Sequence, residues 1–519
     1  MLFVLTLLVL FLLGAFLGRT GRPPGARARA WVPPLTAGVA LTVLVCLAAS
    51  LSRSLWIDEF GTLWAIEDSV AEAWSRALSF HGQSPLYYVL LWPVVHVIGE
   101  SEVVLRVPSL VCGAATTWLI YRTTVALGSR EAALFAASLI WVTPTVMEGS
   151  VSARAYALAL MFAALAVHGF TLRVLGGGWR YRALFVIGGA GLFLTQYVSS
   201  LVMLGLGAGY LWHADVRVRY PWRDFLVDVA IQLAVVVVAL PQVMSLWGRR
   251  ENLDWIGTPN YVLAVGVLGP FLLPILIASV HRLTAPDRAR QAVEQTLVLA
   301  VAAQVVLLTM LAAVGPNLLA PRYLVVGAVP AAILGGLALS RLRTPAASLC
   351  VAFAILLTTG LSLVSWRVTR VPVLVPNQDW RSAVWALDSE IRRAPNAPVL
   401  YRPGFVEQDP TMVQSSALLA PLRSPGAEAP RWNVIHLTFS WWSPSREPYF
   451  EQVLVPALET ADVLFVLASG PSPVKGDYVP LLIDWIERRF PGQFDCHRLG
   501  PFTEVDLLRF DRRAAGSFR

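Results

Sequence analysis

The stretch Leu297-Val-Leu-Ala-Val-Ala-Ala-Gln-Val-Val-Leu-Leu-Thr-Met-Leu-Ala-Ala-Val314 carries no charged side chain. A run of this length is close to the ~20 apolar residues that a helix needs to cross a ~30 Å hydrocarbon core. Similar blocks cover Leu2 to Leu17 and Leu35 to Leu51. The whole chain agrees with them. Of its 519 residues 56% are hydrophobic and only 14% charged, and the mean hydropathy is +0.61. Soluble chains carry about 25% charged residues. These figures exclude a disordered protein, point away from an ordinary soluble enzyme, and predict a polytopic α-helical membrane protein.

Cys46, Cys112 and Cys350 sit inside apolar blocks, and Cys496 alone lies in a polar region. No disulfide framework is expected from that distribution. The net charge is +8, and Lys475 is the single lysine. Arginine therefore carries the positive charge, and with abundant Ala, Gly and Pro this suggests a GC-rich coding bias of the bacterial kind.

The apolar blocks stop near Trp366. From Val371 to Arg519 there are 15 Lys+Arg and 17 Asp+Glu, a net of −2, which leaves +10 on the remainder. This tail alternates β-like runs (Pro398–Tyr401, Val434–Leu437, Asp462–Ala468) with helical periodicity. In Trp380–Arg393 the residues Trp380, Val384, Leu387 and Ile391 share one face, with Asp379 as N-cap. The expected organisation is an extra N-terminal helix and basic loop over 1–30, a transmembrane domain over 31–370, and a soluble α/β domain over 371–519.

Cytoplasmic loops are enriched in Arg and Lys. Arginine clusters lie at Arg19 to Arg29, Arg122–Arg130, Arg173–Arg182, Arg217–Arg223, Arg282–Arg290 and Arg341–Arg343. With all of them inside, Ser52–Glu102, Glu148–Ala153, the region of Gln196, Trp247–Asn260, Gly315–Arg322 and the tail lie outside. The net charge is then mainly an orientation signal, and no nucleic-acid partner is expected. The scheme requires that Pro85–Ile98 not cross, and its 14 residues suit an interfacial or re-entrant helix. About 12 spanning helices follow from the ~20-residue requirement, with both ends outside. The first helix lacks a basic region before its apolar run and is expected to be retained rather than cleaved.

Four outer segments hold residues suited to chemistry. Leu55-Trp-Ile-Asp58-Glu59-Phe60 places two adjacent acids just past a membrane helix. Carboxylates near lipid are costly unless paired or functional, although for these two acids taken alone a solvated loop is the better reading. His81-Gly-Gln83-Ser-Pro85-Leu-Tyr87-Tyr88 offers an imidazole, with aromatic anchoring as the plain alternative. Glu148-Gly-Ser-Val-Ser-Ala-Arg154-Ala-Tyr156-Ala-Leu puts a permanently charged bidentate donor at a helix mouth, a good partner for phosphate; snorkelling to headgroups is the alternative. Pro321-Arg322-Tyr323-Leu324 adds a second Arg-Tyr pair. The loop Trp247–Asn260, with Arg249, Arg250, Glu251, Asp254 and Trp255, reads as a solvated loop rather than a gate. The tail has no GxGxxG after a strand and no P-loop, so no nucleotide site is expected.

Taken in order, these segments resemble the polyprenyl-phosphate-sugar-dependent GT-C glycosyltransferases, in particular the branch of protein O-mannosyltransferases and aminoarabinose transferases. The resemblance spans roughly residues 30 to 390 and includes Gln378-Asp379-Trp380-Arg381. The chain departs from the pattern at His81-Gly-Gln-Ser-Pro, where relatives often have His-Pro-Pro, and at Gln196-Tyr197, where many have His-Tyr.

The resemblance implies an inverting transfer of a sugar from a lipid phosphate to an outer-face acceptor. The acceptor class stays open among protein, glycolipid and polysaccharide. Asp58 is then expected as general base with Glu59 as orienter or substitute. Arg154 and Arg322, with His81, are expected to hold the donor phosphate as leaving group. Gln83, Tyr87, Tyr156 and Tyr323 are expected to line donor or acceptor. Some relatives use a divalent ion, but Asp58, Glu59, Glu67, Asp68 and Glu148 include no Asp-x-Asp, and hard cations need several oxygen ligands, so no cofactor is expected. A secondary transporter is expected to carry midplane charges and related halves instead. A cell-envelope scaffold explains the tail but not the four motifs.

Overall fold

The computed structural model describes residues 32–51, 53–79, 84–248, 261–280, 285, 287–314, 318–342, 350–351, 378–402, 432–437, 441, 446–469 and 478–513. The first apolar block, His81, Gln83 and nearly all of the Trp247–Asn260 loop lie outside the described residues. The chain divides into two compact units. One comprises residues 1–51, 77–91 and 106–375; the other comprises 52–76, 92–105 and 376–519. Pieces of the first predicted outer loop thus group with the tail, which composition along the chain does not display.

Among the described residues, five helices are long and apolar enough to cross a membrane: Glu102–Leu127, Tyr156–Val174, Trp222–Met244, Arg288–Val314 and Pro321–Arg341. The quoted run from Leu297 to Val314 falls entirely within one of them. Arg130–Val142 and Pro144–Ser150, bent by 80°, form a sixth if counted as one broken span. The break lies at Thr143, whose extended backbone precedes a proline in the first turn of the next helix, where the missing N–H does no harm. Helices Val32–Leu51 and Tyr261–Val280 have 20 residues each. Leu86–Ile98 is a helix of 13 residues, about 20 Å at 1.5 Å per residue, and so is shorter than a hydrocarbon core.

Lipid supplies no hydrophobic drive between helices, so close backbone approach must supply the packing. Gly169 and Gly188 provide it between Tyr156–Val174 and Trp179–Phe193. A Cβ on Gly169 would strike the backbone of Phe185 and Tyr181, and one on Gly188 that of Ala166. Gly205 meets the backbone of Ala300 in the same way. At the turn end of this hairpin the Arg182 guanidinium donates to both oxygens of the buried Asp228, at 3.0 and 2.9 Å, and pairs with Asp224 at 2.9 Å. Arg173 donates to the Arg219 carbonyl at 3.0 Å. Two of the arginine clusters of the sequence therefore assemble at one place, tied by aspartates.

The second unit contains a five-stranded sheet. Its strands are β1 (Pro398–Arg402), β2 (Asn433–His436), β3 (Val463–Ser469), β4 (Phe494–Phe502) and β5 (Val505–Arg512), in the order β2-β1-β3-β5-β4. β1 is parallel to β2 and β3, and β5 is antiparallel to β3 and β4. The three predicted strands appear within one residue of their expected limits. The predicted helix appears at Trp380–Ile391, with the Asp379 carboxylate accepting from the Ser382 amide at 3.2 Å. Its buried residues include Trp380, Val384, Leu387 and Ile391, the face that the periodicity marked. β1 is buried throughout, as expected for a strand covered on both faces. Trp380 packs edge-on against Tyr401, whereas Leu400 joins the cluster of Phe450, Leu454, Leu482 and Ile486.

Candidate active site

The acids belong to the second unit. Asp58 and Glu59 are the second and third residues of the helix Ile57–Ala65. Asp58 is half-buried and Glu59 fully buried. A Glu oxygen accepts from the Trp56 backbone amide at 3.3 Å, the reach-back of a helix-capping glutamate at the third position. This geometry gives Glu59 a local structural task and leaves Asp58 as the more accessible carboxylate. The Thr62 hydroxyl donates to the Asp58 carbonyl at 3.2 Å.

The segment after the last predicted span closes on this helix. The Gln378 side-chain oxygen accepts from the Ile57 amide at 3.0 Å and from the Trp380 indole at 2.9 Å. The Arg381 amide donates to the Ser54 hydroxyl at 3.3 Å, and its guanidinium pairs with Glu102. The Asp379 amide donates to the Thr503 carbonyl, at the β4–β5 turn, at 2.9 Å. The motif Gln378-Asp379-Trp380-Arg381 thus meets the first amide of the Asp58 helix through Gln378 and the preceding Ser54 through the Arg381 amide.

The basic residues belong to the first unit. Arg154, Tyr156, Arg322 and Tyr323 come together from segments 166 residues apart. Arg322 donates to the Tyr156 hydroxyl at 3.1 Å. The Arg154 guanidinium lies 6.0 Å from the Tyr156 ring centre, and that of Arg322 lies 5.9 Å from the Tyr323 ring, within reach of cation–π attraction. Arg154 is only 4% exposed. Ser109 donates to the Arg154 carbonyl at 3.5 Å, a long contact, and shares a 3.4 Å hydrogen bond with the buried Tyr87. Four of the expected site residues therefore form one group, with Tyr87 linked to it through Ser109.

Three further residues bear on these sites and escaped the sequence reading. Gln304, within the quoted apolar run, is fully buried and donates to the Tyr323 carbonyl at 2.6 Å. A 3-10 turn over Val325–Gly327 interrupts the helix there, so a side chain supplies the donor. Its signal was a lone amide among apolar residues, costly in lipid unless used. Arg106, fully buried, donates to the carbonyls of Ser50 and Leu51 at 3.1 and 3.0 Å, satisfying the end of the helix Val32–Leu51. Its signal was a cation inside a spanning helix. Glu102 had no signal beyond its charge. The Ser84 hydroxyl donates to the Leu194 carbonyl, and Tyr197 donates to Gln242 at 2.8 Å. Among the described residues, no three of the His, Cys, Asp and Glu side chains gather as a metal site would need.

Known proteins resemble the chain in part of its sequence and in its fold. The family model of dolichyl-phosphate-mannose-protein mannosyltransferases matches residues 82–247. The structure is similar to ArnT from Cupriavidus metallidurans bound to undecaprenyl phosphate, with a TM-score of 0.55 and 13% identity over 91% of this chain and 97% of that one. The apo form of that ArnT gives 0.52 and 14% over 93% and 98%. The oligosaccharyltransferase of Archaeoglobus fulgidus, in complex with Zn and sulfate, gives 0.44 and 14% over 82% and 67%. No curated protein sequence matches the chain. The fold is similar to that of the ArnT structures.

Proposed function

We propose that the protein is an inverting glycosyltransferase that moves a sugar from a polyprenyl-phosphate-linked donor to an acceptor on the outer face of the cytoplasmic membrane. The observation that carries this reading is the meeting of Arg154, Tyr156 and Arg322. Two permanently charged guanidiniums with aromatic neighbours suit a phosphate whose charge grows as the sugar leaves. The fold supports it, since the similar ArnT structure is bound to undecaprenyl phosphate.

In this reading Arg154, Arg322 and His81 hold the donor phosphate, and Gln83, Tyr87, Tyr156 and Tyr323 line donor or acceptor. Asp58 removes the acceptor hydroxyl proton while Glu59 fixes the helix that carries it. The acceptor oxygen attacks the anomeric carbon, the bond to phosphate breaks, and the phosphate departs as an anion. The phosphate needs no separate general acid, and a single displacement inverts the centre. The architecture proposed with it has about 12 spanning helices, by the ~20-residue requirement, with domains at 1–30, 31–370 and 371–519 and the last one extracytoplasmic.

Purified protein in nanodiscs, supplied with undecaprenyl-phosphate-linked hexoses and pentoses, is expected to release undecaprenyl phosphate and glycosylate an envelope extract. Accumulation of a free solute by proteoliposomes, with no donor consumed, would identify a transporter instead. Gln304→Leu is expected to insert normally and to lower kcat/KM for the donor. Hydrogen bonds within membrane bundles are worth about 0.6 and at most about 1.7 kcal/mol, a loss of roughly 3- to 20-fold. Steady-state kinetics of donor consumption checks it.

A further inference from the structure

We infer that Gln378 is a positioning residue for Asp58, and that it works as a shared acceptor between the soluble domain and the helix that carries the base. The inference rests on the glycosyl-transfer reading and goes beyond it, because the base is set by a residue 320 positions away in the chain.

A helix leaves its first backbone amides without partners inside the helix. In Ile57–Ala65 the amide of Ile57 is one of these, and Gln378 accepts from it. The same oxygen accepts from the Trp380 indole. Two donors converging on one atom fix which end of the amide is oxygen, and they require an acceptor at this position. Trp380 is itself fully buried and packs on Tyr401 of β1, while the Asp379 amide donates to the Thr503 carbonyl. Arg381 adds a second tie to the segment that leads into the helix, its amide donating to Ser54, while its guanidinium pairs with Glu102. Asp58 follows Ile57 directly. Its Cα therefore takes its place from an amide held by the sheet domain, while Glu59 ties the same turn from within. The sheet domain is in this way part of the apparatus that sets the base, rather than an appendage.

The test uses full-length protein in nanodiscs and four forms: wild type, Gln378→Ala, Gln378→Glu and Trp380→Phe. Hydrogen exchange of the amides in 56–60 is read beside kcat and KM for undecaprenyl-phosphate-linked sugar. Gln378→Ala is expected to speed exchange about tenfold, from loss of one net hydrogen bond. It should lower kcat by about 10- to 100-fold, the order caused by an ångström-scale misplacement, with donor KM within about twofold. Gln378→Glu keeps the acceptor and should return exchange and kcat to within about threefold of wild type. Trp380→Phe keeps the packing but loses one of the two donors, and should fall between them. The inference is overturned if Gln378→Ala keeps wild-type kcat, if it raises donor KM in place of lowering kcat, or if Gln378→Glu is as impaired as the alanine. A wild type that consumes no donor overturns the glycosyl-transfer reading, and this inference with it. A wild type and Gln378→Ala that are equally active overturn the inference alone.

Discussion

Asp58→Asn leaves an inserted, folded protein whose donor turnover falls about 10²- to 10⁴-fold, the contribution typical of a positioned general base. The substitution is nearly isosteric and keeps a residue favoured at helix starts. Three contacts of this turn use the Asp58 carbonyl, the Glu59 carboxylate and the Ile57 amide, and the substitution leaves all three in place. With Asp58 as the base, the loss reports on proton acceptance. Glu59→Gln is the control: its amide oxygen still reaches the Trp56 amide, so turnover falls far less than in Asp58→Asn. Single-turnover release of undecaprenyl phosphate, compared at equal inserted protein, separates the two. Turnover of Asp58→Asn within twofold of wild type removes Asp58 from the base role.

Arg322→Met is expected to cost about 10²- to 10³-fold in kcat/KM for the donor, the scale for removing one donor to a developing anion. Arg322 is the better target of the pair, because it is partly exposed, whereas Arg154 is 4% exposed and its loss risks the fold. Arg322→Lys should recover only part of the activity: a lysine keeps the charge but not the planar fork that meets an oxyanion with two bonds. Tyr156→Phe removes the hydroxyl that receives the 3.1 Å bond from Arg322. It should cost about 1.5–3 kcal/mol, the net worth of a hydrogen bond to a charged group. Arg322→Met and Tyr156→Phe combined should cost less than the product of the singles, since both touch one interaction. Equal donor kinetics in wild type and Arg322→Met would sink the phosphate-binding role.

Much of the local structure was legible in the sequence because its causes are local. The helix Trp380–Ile391 was marked by its apolar spacing and by Asp379, and both mark the structure. Strands β1, β2 and β3 were marked by short apolar runs, and β1 and β3 are buried in the sheet, whereas β2 buries Ile435 alone. The quoted apolar run became a helix because lipid requires every backbone group to be satisfied within the chain segment.

The site was legible only as four motifs in an order. Hydropathy selects a span but is nearly the same on every face of it, and lipid is as apolar as the side chains, so the pattern does not say which faces meet. The tertiary structure decided that Arg322 reaches Tyr156. It decided that Gln304, one polar residue in the run that identified the membrane protein, supports Tyr323. It also placed Gln378 on the helix of Asp58. The sequence by itself determined the medium, the quoted span, the helix Trp380–Ile391, three of the five strands and the candidate residues for chemistry, because burial and periodicity are properties of neighbours in the chain. The tertiary structure alone decided which of those residues share a hydrogen bond, because such a bond forms only within about 3 Å, and only the folded path brings residues hundreds of positions apart to that distance.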